Sequence, residues 1–229
     1  MTGIVDGWAA GPDGWFLTPE GAIVRPDQGL LVVSDLHLGY EASRGADFLP
    51  DVSGGEIRGR LLKLFNKSKA KKLVVAGDLV ESRVAVAGTK PILDRFLRWV
   101  KEQGVEIVLL AGNHDPVGDL RFSDYFLVDG WLIHHGDKRM GLKNHNAKGW
   151  VIGHWHPALH WRGRNGRVFL TSSEGIVTPA FTSDAAGVDV LSKKPFQADS
   201  WGRFRCHVCL SNQVLDFGLL GELQRRMSI

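Results

Sequence analysis

The sequence predicts an α/β protein, and three observations predict it. Three short apolar runs, Leu30-Leu31-Val32-Val33, Leu73-Val74-Val75-Ala76 and residues 105–110, have the look of buried strands. Two stretches of helical periodicity separate them. Each run stops abruptly at polar chemistry: Asp35 and His37 after the first, Asp78 after the second, Asn113 and His114 after the third. Strand, helix, strand, helix, strand implies a parallel sheet. Ligands of such sheets bind outside the carboxyl ends of the strands.

The 229 residues, 44% of them hydrophobic, suit one domain with an ample core, taken as residues 1–229. The net charge of +3 permits a polyanionic partner without demanding one. Two cysteines give no disulfide framework. Neither a signal peptide nor an apolar run of about 18 residues is visible. The expectation is a soluble, cytoplasmic protein with no membrane partner. The sequence does not set its oligomeric state.

In chain order, residues 1–29 carry short apolar pieces around the turn Pro19-Glu20-Gly21, and predict a hairpin or an added edge strand as an N-terminal extension. Residues 40–55, with Gly45, Pro50, Gly54 and Gly55, predict a loop. Ile57, Leu61, Leu62, Leu64 and Phe65 then repeat at helical spacing, and residues 66–69 end that helix. Its basic run, Lys67, Lys69, Lys71 and Lys72, is a solvated helix end. Residues 91–103 form the second helix, with Pro91 in its first turn, Ile92, Phe96, Trp99 and Val100 on one face, and Gly104 as its stop.

The second half changes character. Residues 125–128, 131–133, 150–152, 158–161, 168–170 and 188–191 are short apolar pieces divided by turns such as Asp129-Gly130 and Asn165-Gly166. They predict an antiparallel meander. Cys206 and Cys209 lack the second pair that a zinc site needs, and read as part of a plain strand. His145 and His160 are not expected to be ligands, though His160 is near enough to touch a substrate.

Two more clusters stand in this half: His134-His135-Gly136-Asp137, and Gly153-His154-Trp155-His156-Pro157. Mixed imidazole and carboxylate donors suit manganese, iron or zinc better than calcium. Five clusters provide enough donors for two metals, with a carboxylate able to bridge them. Two metals roughly 3.5–4 Å apart clamp the attacking and leaving oxygens of a displacement at phosphorus.

Asp-x-His, Gly-Asp, Gly-Asn-His-Asp, His-Gly and Gly-His-x-His, in that order across residues 35–156, resemble the calcineurin-like metallophosphoesterases. The resemblance implies a four-layer sandwich of two mixed β-sheets flanked by helices. It also implies roles. Asp35, His37 and His156 match ligands of a first metal, Asp78 matches the bridging carboxylate, and Asn113, His135 and His154 match ligands of a second. His135 is preferred to His134 because the family's ligand directly precedes the glycine. His114 matches the catalytic histidine that protonates the leaving oxygen, and Asp115 is expected to orient it. Asp137 receives no role. The implied reaction is in-line attack on phosphorus by a hydroxide that the two metals share. Manganese is the expected metal, with iron, zinc or magnesium as alternatives.

The outer pattern is similar to the DNA-ligase-associated phosphoesterases. It rests on the N-terminal extension, Ser34-Asp35-Leu36-His37-Leu38-Gly39-Tyr40-Glu41, Gly153-His154-Trp155-His156-Pro157-Ala158 and Thr178-Pro179-Ala180-Phe181. That likeness implies a nuclease or phosphodiesterase. Lys138, Arg139, Lys143 and Lys148 lie between two ligand motifs and could hold a phosphate backbone, with Arg162, Arg164 and Arg167 extending the patch. Trp155 is expected to wall the pocket or stack on a base. The alternatives are a phosphomonoesterase, a nucleotide pyrophosphatase or cyclic-nucleotide phosphodiesterase, and a non-catalytic metal-bound scaffold. The lipid A pathway's pyrophosphatases share Ser-Asp-Leu-His-Leu and His-Gly-Asp. They carry arginine where His114 stands, and the segment 116–134 is too short for their helical cap.

Overall fold

The computed structural model describes residues 5–43, 51–82, 89–115, 120–192 and 201–227. Its first sheet places β1 (Ala9–Ala10), β2 (Phe16–Leu17), β3 (Ile23–Arg25), β4 (Leu30–Val33), β5 (Lys72–Ala76) and β6 (Glu106–Leu110) side by side in chain order. β1 to β4 pair antiparallel, so the N-terminal segment adds three short strands to β4. β4, β5 and β6 are parallel. Parallel neighbours need crossovers. After the short helix α1 (Tyr40–Ser43), α2 (Val52–Ser68) returns the chain from β4 to β5, and α3 (Thr89–Glu102) returns it from β5 to β6.

Part of the expected loop over 40–55 is therefore helical, while Gly45 and Pro50 lie outside the described residues. α2 starts at Val52 because Asp51 caps it, accepting the Gly54 N–H at 3.1 Å. The glycines at 54 and 55 hid that first turn from a periodicity argument.

The second sheet contains β7 (Phe126–Val128), β8 (Trp131–His134), β9 (Gly149–Ile152), β10 (Pro157–Trp161), β11 (Arg164–Thr171), β12 (Gly175–Val177), β13 (Val188–Asp189), β14 (Arg205–Cys209) and β15 (Val214–Leu219). Its order is β13-β10-β11-β12-β9-β8-β7, with β14 on β11 and β15 on β14. The expected antiparallel meander is corrected here. β8 and β9, β9 and β12, and β10 and β13 are parallel, so the sheet is mixed. Two of the hairpins turn on a pair of adjacent left-handed residues. Asp129 and Gly130 (φ 46° and 76°) join β7 to β8, and Arg162 and Gly163 (φ 49° and 74°) join β10 to β11. Asn165 and Gly166, expected as a turn, are inside β11 instead.

Alternation along β4 and β5 sets the layers. Leu31, Val33, Leu73 and Val75 face outward and bury Ile57, Leu61 and Leu64 of α2 and Phe96 of α3. Leu30, Val32, Val74 and Ala76 face inward and meet Trp131, Ile133, Val151 and Phe169 of the second sheet. The outer face of that sheet, with Val168, Leu170 and Cys206, is covered by Phe204 and by Leu220 of α4 (Leu220–Met227). The result is a four-layer sandwich of two mixed sheets flanked by helices. Cys206 and Cys209 are free thiols on β14, as a plain strand requires. No helix of the described residues is long and apolar enough to cross a membrane.

Candidate metal centre

The strand-end clusters converge in space. Asp35 and His37 follow β4, Asp78 follows β5, Asn113 and His114 follow β6, His135 follows β8, and His154 and His156 bridge β9 to β10. Five of these residues are left-handed: Asp35 (φ 56°), His37 (50°), Asp78 (50°), His154 (65°) and His156 (43°). Each such conformation costs about 1–2 kcal/mol for a residue with a Cβ. Strain of this kind persists only where the surroundings enforce it. Here the Asp35 N–H donates to the Gly77 carbonyl at 3.1 Å, and the Leu36 and His37 N–H groups donate to the Asp78 carbonyl at 2.9 and 3.1 Å. From the far side, Phe181 N–H donates to the Ser34 carbonyl at 2.9 Å and Thr182 N–H to the Asp35 carbonyl at 3.2 Å. The Thr178 segment thus braces the first motif.

Three groups of possible ligands result among the described residues: His37, Glu81 and His114 form one, and the motif residues form the other two. Asp35, His37 and His156 each offer one donor atom, all within 4.8 Å of one another, and Asp78, His135 and His154 do the same. Asp35 Oδ1 lies 3.0 Å from His156 Nε2, and Asp78 Oδ2 lies 3.2 Å from His135 Nε2. His135 Nε2 is also 2.9 Å from Asn113 Oδ1 and 3.2 Å from His154 Nδ1. Of the adjacent histidines, His135 enters the cluster. His134 is buried at the end of β8 and joins no such group among the described residues; burial pushes its pKa down to about 4.

Close packing of the motifs needs glycine at two points. A Cβ on Gly77, itself at φ 82°, would stand 2.4 Å from His135 Nδ1, and one on Gly153 would stand 2.5 Å from Asp35 Oδ2.

The electrostatics suit divalent cations. Burial raises the carboxyl pKa of Asp35 and of Asp78, but neighbouring histidines more than offset it, so both carboxylates stay ionised. Burial also opposes charge on His135, yet Asp78 and Asp35 raise its pKa to about 9. His156 is raised by Asp35 against its own desolvation, while burial lowers His37 and His154. His37 Nδ1 and His156 Nε2 lie 2.9 and 3.0 Å from carboxylate oxygens but in poor hydrogen-bond geometry, and His37 Nε2 is buried with no hydrogen-bond partner. Buried imidazole nitrogens without good hydrogen bonds, beside ionised carboxylates, are the donor set a transition metal takes. The residues therefore fit two divalent cations.

Around this centre the structure revises several expectations. His114 is half-buried, with its ring 5.1 Å from that of His37. Its Nδ1 is held by the Glu81 carbonyl at 2.7 Å and not by Asp115. The Asp115 carboxylate is committed elsewhere, accepting N–H groups from Leu79 (2.8 Å), Val80 (3.3 Å) and Gly112 (2.9 Å). Three backbone donors outcompete an imidazole that already has a carbonyl. Glu81, which no motif singled out, also places its carboxylate 2.9 Å from His37 Nδ1. Lys138 and Arg139 are exposed on the segment after His135. Lys148 instead pairs with Asp13 (3.1 Å) and Asp129 (3.8 Å), beside the Asp129-Gly130 turn, so it is removed from the expected basic patch. Trp155 is half-buried, edge-on to His154 at 5.7 Å and to Trp201 at 6.2 Å. It packs against the apolar cluster under α4 that contains Leu170, Phe204 and Leu220. His160 is exposed and bonds the Ala186 carbonyl, outside both ligand groups.

Residues 30–134 match the calcineurin-like phosphoesterase family. That match spans somewhat under half of the chain, and together with the two-sheet fold it makes the chain similar to the calcineurin-like phosphoesterases. Among solved structures, the nuclease MPE of Pseudomonas putida superposes with a TM-score of 0.69 at 23% identity, covering 91% of this chain and 100% of that one. Among characterised proteins, the SbcD component of nuclease SbcCD from Escherichia coli K12 is 30% identical over 97 residues, as is its counterpart from strain O157:H7. That stretch is 41% of this chain and 23% of the relative's length. The family match ends at His134, so His135, His154 and His156 lie beyond it.

Proposed function

We propose that this chain is a dinuclear-metal phosphodiesterase that cleaves nucleic acid in the cytoplasm. The observation that carries the reading is the pair of adjoining ligand groups, Asp35/His37/His156 and Asp78/His135/His154, with the His114 ring against the first. In this reading Asp35, His37 and His156 would hold one cation and Asn113, His135 and His154 the second, with Asp78 as a donor able to serve both. Such cations, manganese by donor type with iron, zinc or magnesium as alternatives, neutralise phosphate charge and provide hydroxide at neutral pH. His114 does the proton work. Its Nδ1–H donates to the Glu81 carbonyl, so Nε2 is the nitrogen that gives a proton to the leaving oxygen. Lys138 and Arg139, exposed beside the His135 motif, steer the substrate phosphate.

The likeness to two proteins named as nucleases supports nucleic acid over a monoester. The test is a panel of single-stranded DNA, duplex DNA, RNA, cyclic nucleotides and monoesters, assayed with manganese at fixed salt. Diester and nucleic-acid hydrolysis is expected. Monoesterase activity without nucleic-acid cleavage would overturn the nuclease choice. No turnover of any ester by the metal-loaded protein would leave the scaffold reading.

A further inference from the structure

α2 presents Arg60, Lys63 and Lys67 at i, i+3 and i+7, which is one face of the helix. That face walls two adjoining cavities. The first, of about 500 Å³, is lined by Arg60, Lys63 and Arg167 of β11 and reaches His156. The second, of about 550 Å³, is lined by Lys63 and Lys67. Pro19, Glu20, Lys63 and Ser211 border both, so the two form one groove that runs from beside His156 outward along α2.

The charge in this groove is under-compensated. Arg60 donates to the Phe181 carbonyl at 2.6 Å and to the Glu20 carbonyl, and Arg167 donates to the same Glu20 carbonyl at 3.0 Å. Carbonyls fix a guanidinium in place without neutralising it. Arg60 Nε is buried with no hydrogen bond, and burial with the nearby Arg167 holds the Arg60 pKa down to about 9. Glu56 reaches Arg60 only at 3.6 Å. Neither Lys63 nor Lys67 is in an ion pair among the described residues, and both are exposed. Four cations thus face three carboxylates: Glu20, Glu56 beside Arg60 and, at the far end, Asp6. Among the described residues no phenylalanine, tyrosine or tryptophan lines either cavity, so the groove has no platform for stacking bases. What remains is recognition of backbone phosphate. Cavities of this size take a drug-sized ligand, on the scale of a nucleotide or two, which suits one strand.

From this geometry we infer that the groove along Arg167, Arg60, Lys63 and Lys67 seats the phosphate backbone of a single nucleic-acid strand whose next phosphate lies at the metal centre. The inference rests on the phosphodiesterase reading and names the strand that site would cut.

The experiment measures binding of a fluorescein-labelled, random-sequence single-stranded DNA 12-mer by anisotropy, in EDTA so that nothing is cleaved, across a salt series. The parent binds with a log–log salt dependence. Lys63→Glu/Lys67→Glu weakens it at least about tenfold and flattens the slope by about 1.4. Lys63→Gln/Lys67→Gln moves both readouts the same way by less. Arg98→Glu/Lys101→Glu on α3 makes the same change in net charge and leaves affinity near the parent's. Overturning results are parent-like binding by the Lys63/Lys67 variants, an equal loss in the α3 variant, no binding by the parent, or tighter binding of a duplex. Hydrolysis of bis-p-nitrophenyl phosphate by the parent with manganese is measured separately. Its absence would sink the phosphodiesterase reading while leaving the groove's affinity as measured.

Discussion

The backbone carbonyl of Glu81 lies 2.7 Å from Nδ1 of His114. A carbonyl only accepts, so Nδ1 carries the hydrogen and Nε2 alone exchanges a proton with solvent or substrate. If His114 acts as an acid, its loss is felt most where the leaving oxygen most needs a proton. His114→Ala is expected to lower kcat by about 10²–10⁴ on a dinucleotide, whose alkoxide leaves poorly, and by much less on bis-p-nitrophenyl phosphate. Equal losses on both substrates would instead mark His114 as a metal or phosphate ligand.

The Glu81 side chain makes a separate contact, 2.9 Å from His37 Nδ1, and the two roles can be divided. Glu81→Gln retains the carbonyl that holds His114 but removes the charge facing His37. Manganese affinity is expected to fall about tenfold, with the basic limb of the kcat–pH profile, where a general acid loses its proton, unmoved. Isothermal titration and a pH series on the same variant check both halves.

His135 couples the centre to pH. Its metal-free pKa is about 9, raised from an ordinary 6.5 by Asp78 and Asp35 against the pull of burial. A raised histidine pKa stabilises the metal-free fold below pH 6.5, and that stabilisation is lost as pH rises through about 9. Metal must expel the same proton. Manganese binding at pH 7 is therefore expected to release at least one proton, and affinity to fall about tenfold per pH unit below that pKa. Titrations in two buffers of different ionisation enthalpy count the protons; a count of zero would refute the coupling.

Asp115 is expected to behave as a structural brace. Its carboxylate ties the β5 and β6 loops together by accepting N–H groups from Leu79, Val80 and Gly112. Asp115→Ala leaves those donors in a buried setting, each costing about 1–3 kcal/mol. A large drop in melting temperature should accompany lost manganese affinity, while Asp115→Asn, which keeps one acceptor oxygen, retains part of both. A normally stable Asp115→Ala protein with a shifted His114 pH profile would restore the orienting role.

Much of this site is legible in the sequence because it sits where a buried strand stops. Val32-Val33 before Ser34-Asp35, and Val74-Val75-Ala76 before Gly77-Asp78, show both the strand and its end in a few residues. The face of each residue is equally plain, since Leu31 and Val33 divide from Leu30 and Val32 by simple alternation. What stays hidden is carried by the backbone or by distance along the chain. Glu81 acts on His114 through a carbonyl that any residue has. Ser34 and Thr178, 144 positions apart, share a hydroxyl contact of 2.8 Å that no local pattern announces. The left-handed turns at His37 and His156 leave no mark either, because histidine does not advertise them as glycine does. The parallel pairing of β8 with β9 escaped for the same reason: short strands look alike whichever way the next one runs.

The donors are divided between the sheets. Asp35, Asp78 and Asn113 come from the ends of the first sheet's strands, and His135, His154 and His156 from the second's. Neither sheet alone can assemble either cluster, since each combines at least one residue from both. The centre is thus a clasp across the seam of the sandwich. Metal capture reports that both halves have closed on each other, and manganese added during refolding should be taken up only with the final, sheet-docking phase.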